Sequence, residues 1–418
     1  MECISCCGRS PDRATPRPKV SRLPRRPSVG PFGGGRRPAP NAERGIRAER
    51  RTKYLEYAIL FTVFIPTLPT EDLDHVLVHT RDDWGELRGQ RLFITGGTGF
   101  FGMWLVETFL WANQKLKLGA EVLVLSRDST AFLRKMPHLA GQPSLSFHAG
   151  DVTSFEFPEG HFSHIIHAAT AASAALNAES PLLMLDTIVA GTRRTLDFAR
   201  HCGAKKFLLT SSGAVYGPQP PDVANVPEDY RGGPDPLNPA SAYGEGKRLA
   251  EHLCSVYARC YGIEAKIARC FAFVGPYLPL DAHFAIGNFI RDALRGGPIS
   301  VGGDGTPLRS YLYAADLKIW LWKILFHGVS CRAYNTGSDV EISIAELART
   351  VAETLDSGME VRIARPASSD QPRHVYVPET RRAREELGLE VAIDLRESLQ
   401  RTARWHRTVA GHGVNVDK

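Results

Sequence analysis

The apolar run from Arg91 to Thr95 passes without a spacer into Gly96, Gly97, Thr98, Gly99, Phe100, Phe101 and Gly102, and these pass directly into the helical run MWLVETFLWAN. Strand, glycine turn and helix in immediate succession leave the backbone few options. Gly96 falls where the chain must turn, Gly99 where backbone must come close to a ligand, and Gly102 where the helix packs down on the strand. A helix that starts there points unpaired N–H groups and the positive end of its dipole at whatever lies over the turn. The order predicts the pyrophosphate end of a dinucleotide site, lined by Gly96, Thr98, Gly99, Phe100 and Gly102.

From Leu92 onward, runs rich in Leu and β-branched residues alternate with helical periods: EVLVLS, HIIHAA and KFLLTSS each precede or follow a helix. Strands that read as continuous apolar runs are those covered on both faces, which implies a parallel sheet. The predicted class is α/β, a Rossmann-like doubly wound sheet. Further on, AKIARCFAFVG and the stretch 298–313, with GGDGTP at 302–307, break the rhythm and mark a second, smaller region. Helical periods return at 343–355, opened by Ser343 as an N-cap with Glu346 three residues on, and at 379–387. The predicted division is a tail over 1–53, a nucleotide-binding domain with an N-terminal helical extension over 54–275, and a mainly substrate-binding domain over 276–411.

EVLVLS ends in Ser126, Arg127 and Asp128. An acid at that point hydrogen-bonds the ribose of NAD, and an arginine accepts the extra phosphate of NADP. Arg127 and Asp128 therefore leave the cofactor open between NAD and NADP, with a lean towards tolerating NADP. Asp151 and Val152, after a further β-like run, are expected at the adenine, and Ala168 beside the cofactor.

KFLLT runs into Ser211, Ser212, Gly213, Ala214, Val215, Tyr216 and Gly217, so polar residues emerge at the carboxyl edge of the sheet, where open α/β sheets bind ligands. Tyr243 and Lys247, four apart at the start of a helix, share one face. A free tyrosine titrates at about pH 10 and is a poor base, but an adjacent ammonium and a cationic nicotinamide both favour its phenolate. The expected roles are Tyr243 as base, Ser212 as the hydrogen-bond partner of the same substrate oxygen, and Lys247 as a binder of the nicotinamide ribose.

TGGTGFFG, SSGAVYG and YGEGK, in that order, resemble the extended short-chain dehydrogenase/reductase superfamily, and within it the NAD-dependent epimerase/dehydratase family, over roughly Leu92 to Leu387. The resemblance implies a small carboxyl-terminal substrate domain, nucleotide-diphosphate sugars as substrates, and a homodimer through a four-helix interface. It also implies substrate-binding roles for Ser212, Asn288, Arg309 and Arg373, arginine being suited to a diphosphate by its planar fork of donors. Hydride transfer at sugar C4, as in an epimerase or a 4-ketoreductase, is the reaction it points to.

The match is partial. Members similar to sugar-nucleotide 4,6-dehydratases carry Asp and Glu after the serine or threonine, and those similar to UDP-glucuronate decarboxylases carry a Glu, whereas this chain has Gly213 and Ala214. Ala272 stands where relatives place an asparagine near the diphosphate. Yet YGEGKR, GNFIRDAL and GGDGTPLRSYLYAADL are most similar to the decarboxylase branch. With site chemistry weighed above overall likeness, a lyase is the alternative reading, with Glu245 as the carboxylate that would reach in. A cofactor-binding redox sensor without turnover is a third, one that gives no reason for Ser, Tyr and Lys in this order.

An apolar fraction of 43% over 418 residues suits a globular core, and the formal charge of +6 favours anionic partners only where it lies on a folded surface. Much of it lies instead among the Pro and Gly of residues 1–53, which bury too little to offset their ordering entropy and are expected to be disordered. A nucleic-acid or membrane arm, a transit peptide and a misassigned start codon are the other readings of that tail, nucleic acid being an unfavoured partner. Eight cysteines without paired spacing point to a reducing, cytoplasmic compartment, and Cys3, Cys6 and Cys7 lack a fourth metal ligand. The apolar stretch from Tyr57 to Leu68 contains Pro66 and is shorter than the ~20 residues that span a bilayer. It is expected to pack against the fold.

Overall fold

Strands without a polar face need helices on both sides, and the chain supplies them. The structure, a computed structural model, describes residues 65–412 apart from 171–173, 283, 357 and 367–372, so the basic tail and Cys3, Cys6 and Cys7 lie outside it. Seven parallel strands form the main sheet: β1 (Arg91–Thr95), β2 (Glu121–Ser126), β3 (Leu145–Ala149), β4 (His164–His167), β5 (Lys206–Ser212), β6 (Glu264–Cys270) and β11 (Ala333–Thr336). Their order is β11-β6-β5-β4-β1-β2-β3. The order reverses between β1 and β4, which opens a crevice at the carboxyl edge.

Side chains alternate along each strand, so β1 sends Leu92 and Ile94 to one face and Phe93 to the other. On the first face lie α1 (Thr70–Thr80), α2 (Phe100–Leu116) and α8 (Ala314–His327), with the Trp84 and Trp322 rings 4.6 Å apart in the core. On the second lie α5 (Pro181–His201) and α6 (Ala242–Tyr261), around Phe93, Phe155, Phe162 and Phe198. Two shorter helices, α3 (Ser129–Lys135) and α4 (Ala174–Glu179), sit in the connections.

The smaller region carries β7 (Phe273–Val274), α7 (Ala285–Leu294), β8 (Ile299–Val301), β9 (Leu308–Arg309), β10 (Leu312–Tyr313), β12 (Ile342–Ser343), α9 (Ile344–Leu355), β13 (Val361–Ile363), β14 (Val375–Tyr376), α10 (Arg381–Leu387) and α11 (Leu395–His412). Its strands make small sheets in the orders β12-β9-β14, β13-β8 and β10-β7. The division expected at 275 is crossed twice, because β11 pairs with β6 from Ala333↔Ile267 to Thr336↔Cys270 and α8 packs on β5 and β6. α9 opens with a capping box, Ser343 Oγ accepting from Glu346 N at 3.2 Å while Ser343 N donates to Glu346 Oε2 at 3.0 Å.

The end of the apolar stretch packs as expected: Leu68 is buried, and its N–H and the Thr67 hydroxyl both donate to Glu107 Oε2, at 2.9 and 2.7 Å. Buried Asp72 of α1 accepts from Tyr313 Oη at 2.7 Å and Arg401 Nη1 at 2.8 Å, tying α1 to α11. Among the described residues, no helix is long and apolar enough to cross a membrane.

Candidate active site

The glycine loop is built as the spacing predicts. Gly96 has φ +73°, a left-handed conformation that suits glycine, and a Cβ there would lie 2.5 Å from Ala168 O. A Cβ on Gly102 would lie 2.2 Å from Gly96 O and Gly97 Cα, so only glycine lets α2 start this close to the turn. Gly99 differs: its added Cβ would meet nothing closer than Gly96 O at 3.5 Å. Protein packing does not demand glycine at 99, and the space left over the first turn of α2 fits the close approach of a diphosphate. Ala168, at the carboxyl end of β4, forms the wall beside the loop.

Behind it, His167 is wholly buried and bonded to Thr95 Oγ1 at 2.8 Å and Thr192 Oγ1 at 3.1 Å. Burial pushes its pKa down to about 3, so it is a neutral scaffold. Where the adenine is expected, Asp151 accepts from Thr153 N at 3.0 Å and Thr153 Oγ1 at 2.7 Å, which lowers its pKa, as to a lesser degree does the charge of Arg127. Val152 lies against Gly191 of α5. Asp128 is the N-cap of α3, accepting from Ala131 N at 2.8 Å, while Arg127 is exposed.

Ser212 ends β5, and its Oγ accepts from Ala214 N at 3.2 Å as the chain turns into Gly213–Tyr216. Tyr243 and Lys247 come from the first turns of α6, which packs on β5 and β6. The Lys247 ammonium donates to Thr210 O at 2.8 Å and Thr170 Oγ1 at 3.0 Å, and lies 5.9 Å from the centre of the Tyr243 ring. Burial lowers its pKa to about 8. Burial raises that of Tyr243, against a lowering by hydrogen bonding from Ser212, so Tyr243 is a neutral phenol until further positive charge arrives. The three predicted residues are therefore brought together at the carboxyl edge, beside the glycine loop.

Sequence reasoning passed over the support of this group. Ser211 Oγ donates to Glu251 Oε1 at 2.5 Å, Glu251 binds Arg269 in a fork at 2.7–3.3 Å, and Arg269 Nη1 donates to Tyr216 Oη at 2.9 Å. Glu251 follows Lys247 by four residues and Tyr243 by eight, a helical-face signal that was available. Tyr376 stands beside Gly213, its hydroxyl 2.7 Å from where a Cβ there would lie, and comes from a two-residue strand that nothing local in the sequence announces.

The expected substrate ligands divide. Arg309 lies on the Tyr376 side of its strand, its guanidinium 5.9 Å from the centre of that ring. Arg373 is exposed. It lines a cavity with Leu308, Glu346 and Arg349 and shares another with Val375. Leu308 and Val375 alternate with Arg309 and Tyr376, so these cavities open on the opposite face of the small sheet. Asn288 of α7 accepts from Arg291 Nη1 at 3.1 Å. Glu245 pairs with Arg248 along the helix at 3.7 Å rather than reaching in. Among the described residues, no carboxylate bonds to Ser212 or Tyr243, and no cluster of His, Cys, Asp and Glu suits a metal ion.

Comparison with known proteins agrees with this layout. The model of the NAD dependent epimerase/dehydratase family matches residues 92–337. UDP-glucuronic acid decarboxylase 6 of Arabidopsis thaliana is 36% identical over 309 residues, 74% of this chain and 86% of the plant protein. UDP-glucuronic acid decarboxylase 1 of Xenopus tropicalis is 32% identical over 326 residues, 78% of this chain and 74% of the frog protein. Among solved structures, dTDP-glucose 4,6-dehydratase from Streptomyces venezuelae, with NAD bound, superposes with a TM-score of 0.65 at 25% identity, covering 77% of this chain and 98% of that one.

Proposed function

This chain belongs to the NAD dependent epimerase/dehydratase family, and from that premise we propose that it moves a hydride between NAD and C4 of a nucleotide-diphosphate sugar, as an epimerase or a 4-ketoreductase does. The convergence of Ser212, Tyr243 and Lys247 beside the glycine loop carries this reading. Bound NAD would accept or return the hydride. Ser212 and Tyr243 hold the C4 oxygen between them, and Tyr243 takes its proton on oxidation and gives it back on reduction. Lys247, fixed by Thr210 and Thr170, favours the phenolate and stands ready for the nicotinamide ribose. Arg309 is the diphosphate ligand in this reading, and exposed Arg127 is the group that would admit NADP.

A second reading, a lyase that decarboxylates UDP-glucuronate, is favoured by the identity of 32–36% to proteins with that name. A ketone at C4 makes the C6 carboxylate a β-keto acid, and its loss needs no carboxylate from the enzyme. Gly213 and Ala214 weigh against dehydration more than against decarboxylation. Incubation with UDP-, dTDP-, GDP- and CDP-sugars and either cofactor, with products resolved by mass, tests both. Unchanged mass marks an epimerase, a gain of two hydrogens a ketoreductase, and loss of carbon dioxide the lyase; no turnover with cofactor bound would sink both in favour of a sensor.

The homodimer belongs to this proposal. Leu182 and Leu183 of α5 and Leu249, Val256 and Tyr261 of α6 are exposed on the paired helices that two copies would bring together. Light scattering of a purified sample checks it, and a monomer at all concentrations would reject it. Five free cysteines among the described residues fit a cytoplasmic setting, which cell fractionation tests.

A further inference from the structure

Lys318 is a buried amine that the mechanism above does not use. It stands in the second turn of α8, its side chain wholly shielded from solvent, and among the described residues its ammonium has no hydrogen-bond partner. An unpaired charge inside a protein is costly to keep. Nζ lies 4.4 Å from the centre of the Phe101 ring and 6.0 Å from that of Phe100, the two residues that open α2 after the glycine turn. The Phe101 ring continues to Phe273 of β7, 5.3 Å away centre to centre. That strand begins just after Cys270 of β6, and Cys270 is paired in register with Ser212 of β5. Ser212 and Cys270 alternate onto the same face of the sheet as Leu208 and Ala268, the face that α2 and α8 cover. Lys318 therefore lies one layer beneath the path from the glycine loop to Ser212. A dinucleotide with its diphosphate on that loop carries its nicotinamide along this path towards Tyr243 and Lys247.

We propose that Lys318 is a counter-charge for the reduced cofactor: its ammonium, set behind the Phe101 ring, favours bound NADH over bound NAD. Hydride transfer breaks the C4–H bond of the sugar and passes its hydrogen and both electrons to the nicotinamide, while the hydroxyl proton goes to Tyr243. The nicotinamide loses its positive charge and the diphosphate is unchanged, so the bound cofactor becomes more negative by one unit. A cation fixed beneath it is repelled by the ring of NAD and not by the ring of NADH, and the sign follows from charge alone. By the same coupling the amine holds its proton more firmly with NADH bound than with NAD bound. Burial lowers its pKa to about 7, so the difference falls in the neutral range. Among the described residues, the titratable group that faces the amine is Cys270 of β6, a thiol that burial pushes up to about 12 and keeps neutral; Lys247 acts on that thiol as well, and α2 presents only phenyl rings. A balance tilted towards NADH keeps the 4-keto sugar populated, and epimerase and lyase both pass through that state. This role rests on the reading that the nicotinamide lies beside Ser212 and Tyr243.

The Kd of NADH is read from its fluorescence and that of NAD from displacement of NADH, in the parent, Lys318→Met and Lys318→Gln. In the parent the ratio of the NAD Kd to the NADH Kd should be highest at about pH 6 and fall as the amine loses its proton towards about pH 9. In both uncharged variants the ratio at about pH 6 should be lower by about 5-fold and close to the parent's alkaline value. Tyr243 and Lys247 titrate in all three proteins, so the difference between parent and variant belongs to Lys318. Calorimetry of NADH binding in buffers of different ionisation enthalpy should show more proton uptake at neutral pH in the parent than in either variant. A loosened core weakens both cofactor forms alike and leaves the ratio unmoved. A ratio that stays the same or rises in the variants overturns the proposal. No sugar is needed for these titrations, so a parent that binds both forms yet turns over no nucleotide sugar would defeat the functional reading alone, and the ratio would still decide the role of Lys318.

Discussion

Lys247 and Lys318 are both buried lysines, and their surroundings give them opposite fates. Lys247 has two oxygen partners and a pKa lowered to about 8. Loss of its charge as pH rises through that value removes the stabilisation of the Tyr243 phenolate, so kcat should fall on the alkaline side. In Lys247→Arg, whose charge persists, that limb should vanish from whatever activity remains, and its persistence would assign the limb elsewhere. Tyr243→Phe should lower kcat about 100-fold or more, with NAD binding retained by isothermal titration. Among the described residues, Lys318 has no hydrogen-bond partner for its ammonium, which lies 4.4 Å from the centre of the Phe101 ring, and burial lowers its pKa to about 7. A lysine depressed in the folded state contributes stability fully above its unfolded pKa of about 10.4 and loses it as pH falls towards 7. Lys318→Met should raise stability at neutral pH by about 2 kcal/mol and flatten that dependence. Urea melts at several pH values read both, and a variant less stable than the parent would show that the amine has a partner in solution.

At the scale of elements, the glycine loop separates packing from binding. Gly102→Ala drives a methyl into Gly96 O and Gly97 Cα at the start of α2, and should cost about 2 kcal/mol or more along with NAD binding. Gly99→Ala meets only one atom at 3.5 Å, and should melt like the parent while losing NAD affinity. Equal melting losses would refute the distinction. This loop and the order Ser212, Tyr243, Lys247 were legible in the sequence because each is set by neighbours a few residues apart. Tyr376 and the side taken by Arg309 and Arg373 were not. Those depend on which faces β9 and β14 present once paired, and two-residue strands carry no alternation to read. β11 was hidden for a related reason: Tyr334, Asn335 and Thr336 are buried, yet AYNT is too short and too polar to announce a strand of the main sheet.

Across the whole molecule, the two lobes share elements rather than a hinge, with α8 and β11 returning to the main sheet after the chain has left it. The segment before α1 and the last helix close the same body from outside. Trp405 Nε1 donates to Thr67 O at 3.2 Å, Arg404 pairs with Glu71, and Arg401 reaches Asp72. The beginning and end of the described fold are thus neighbours in space, and the order in which the chain visits its elements is separable from their arrangement. A circular permutant joining residue 409 to residue 66 through a short glycine–serine linker, with new ends at exposed Gly296, should fold and bind NAD like the parent lacking its tail. Failure to bind would mean that contiguity through 296, and not only the contacts, is needed to assemble the site.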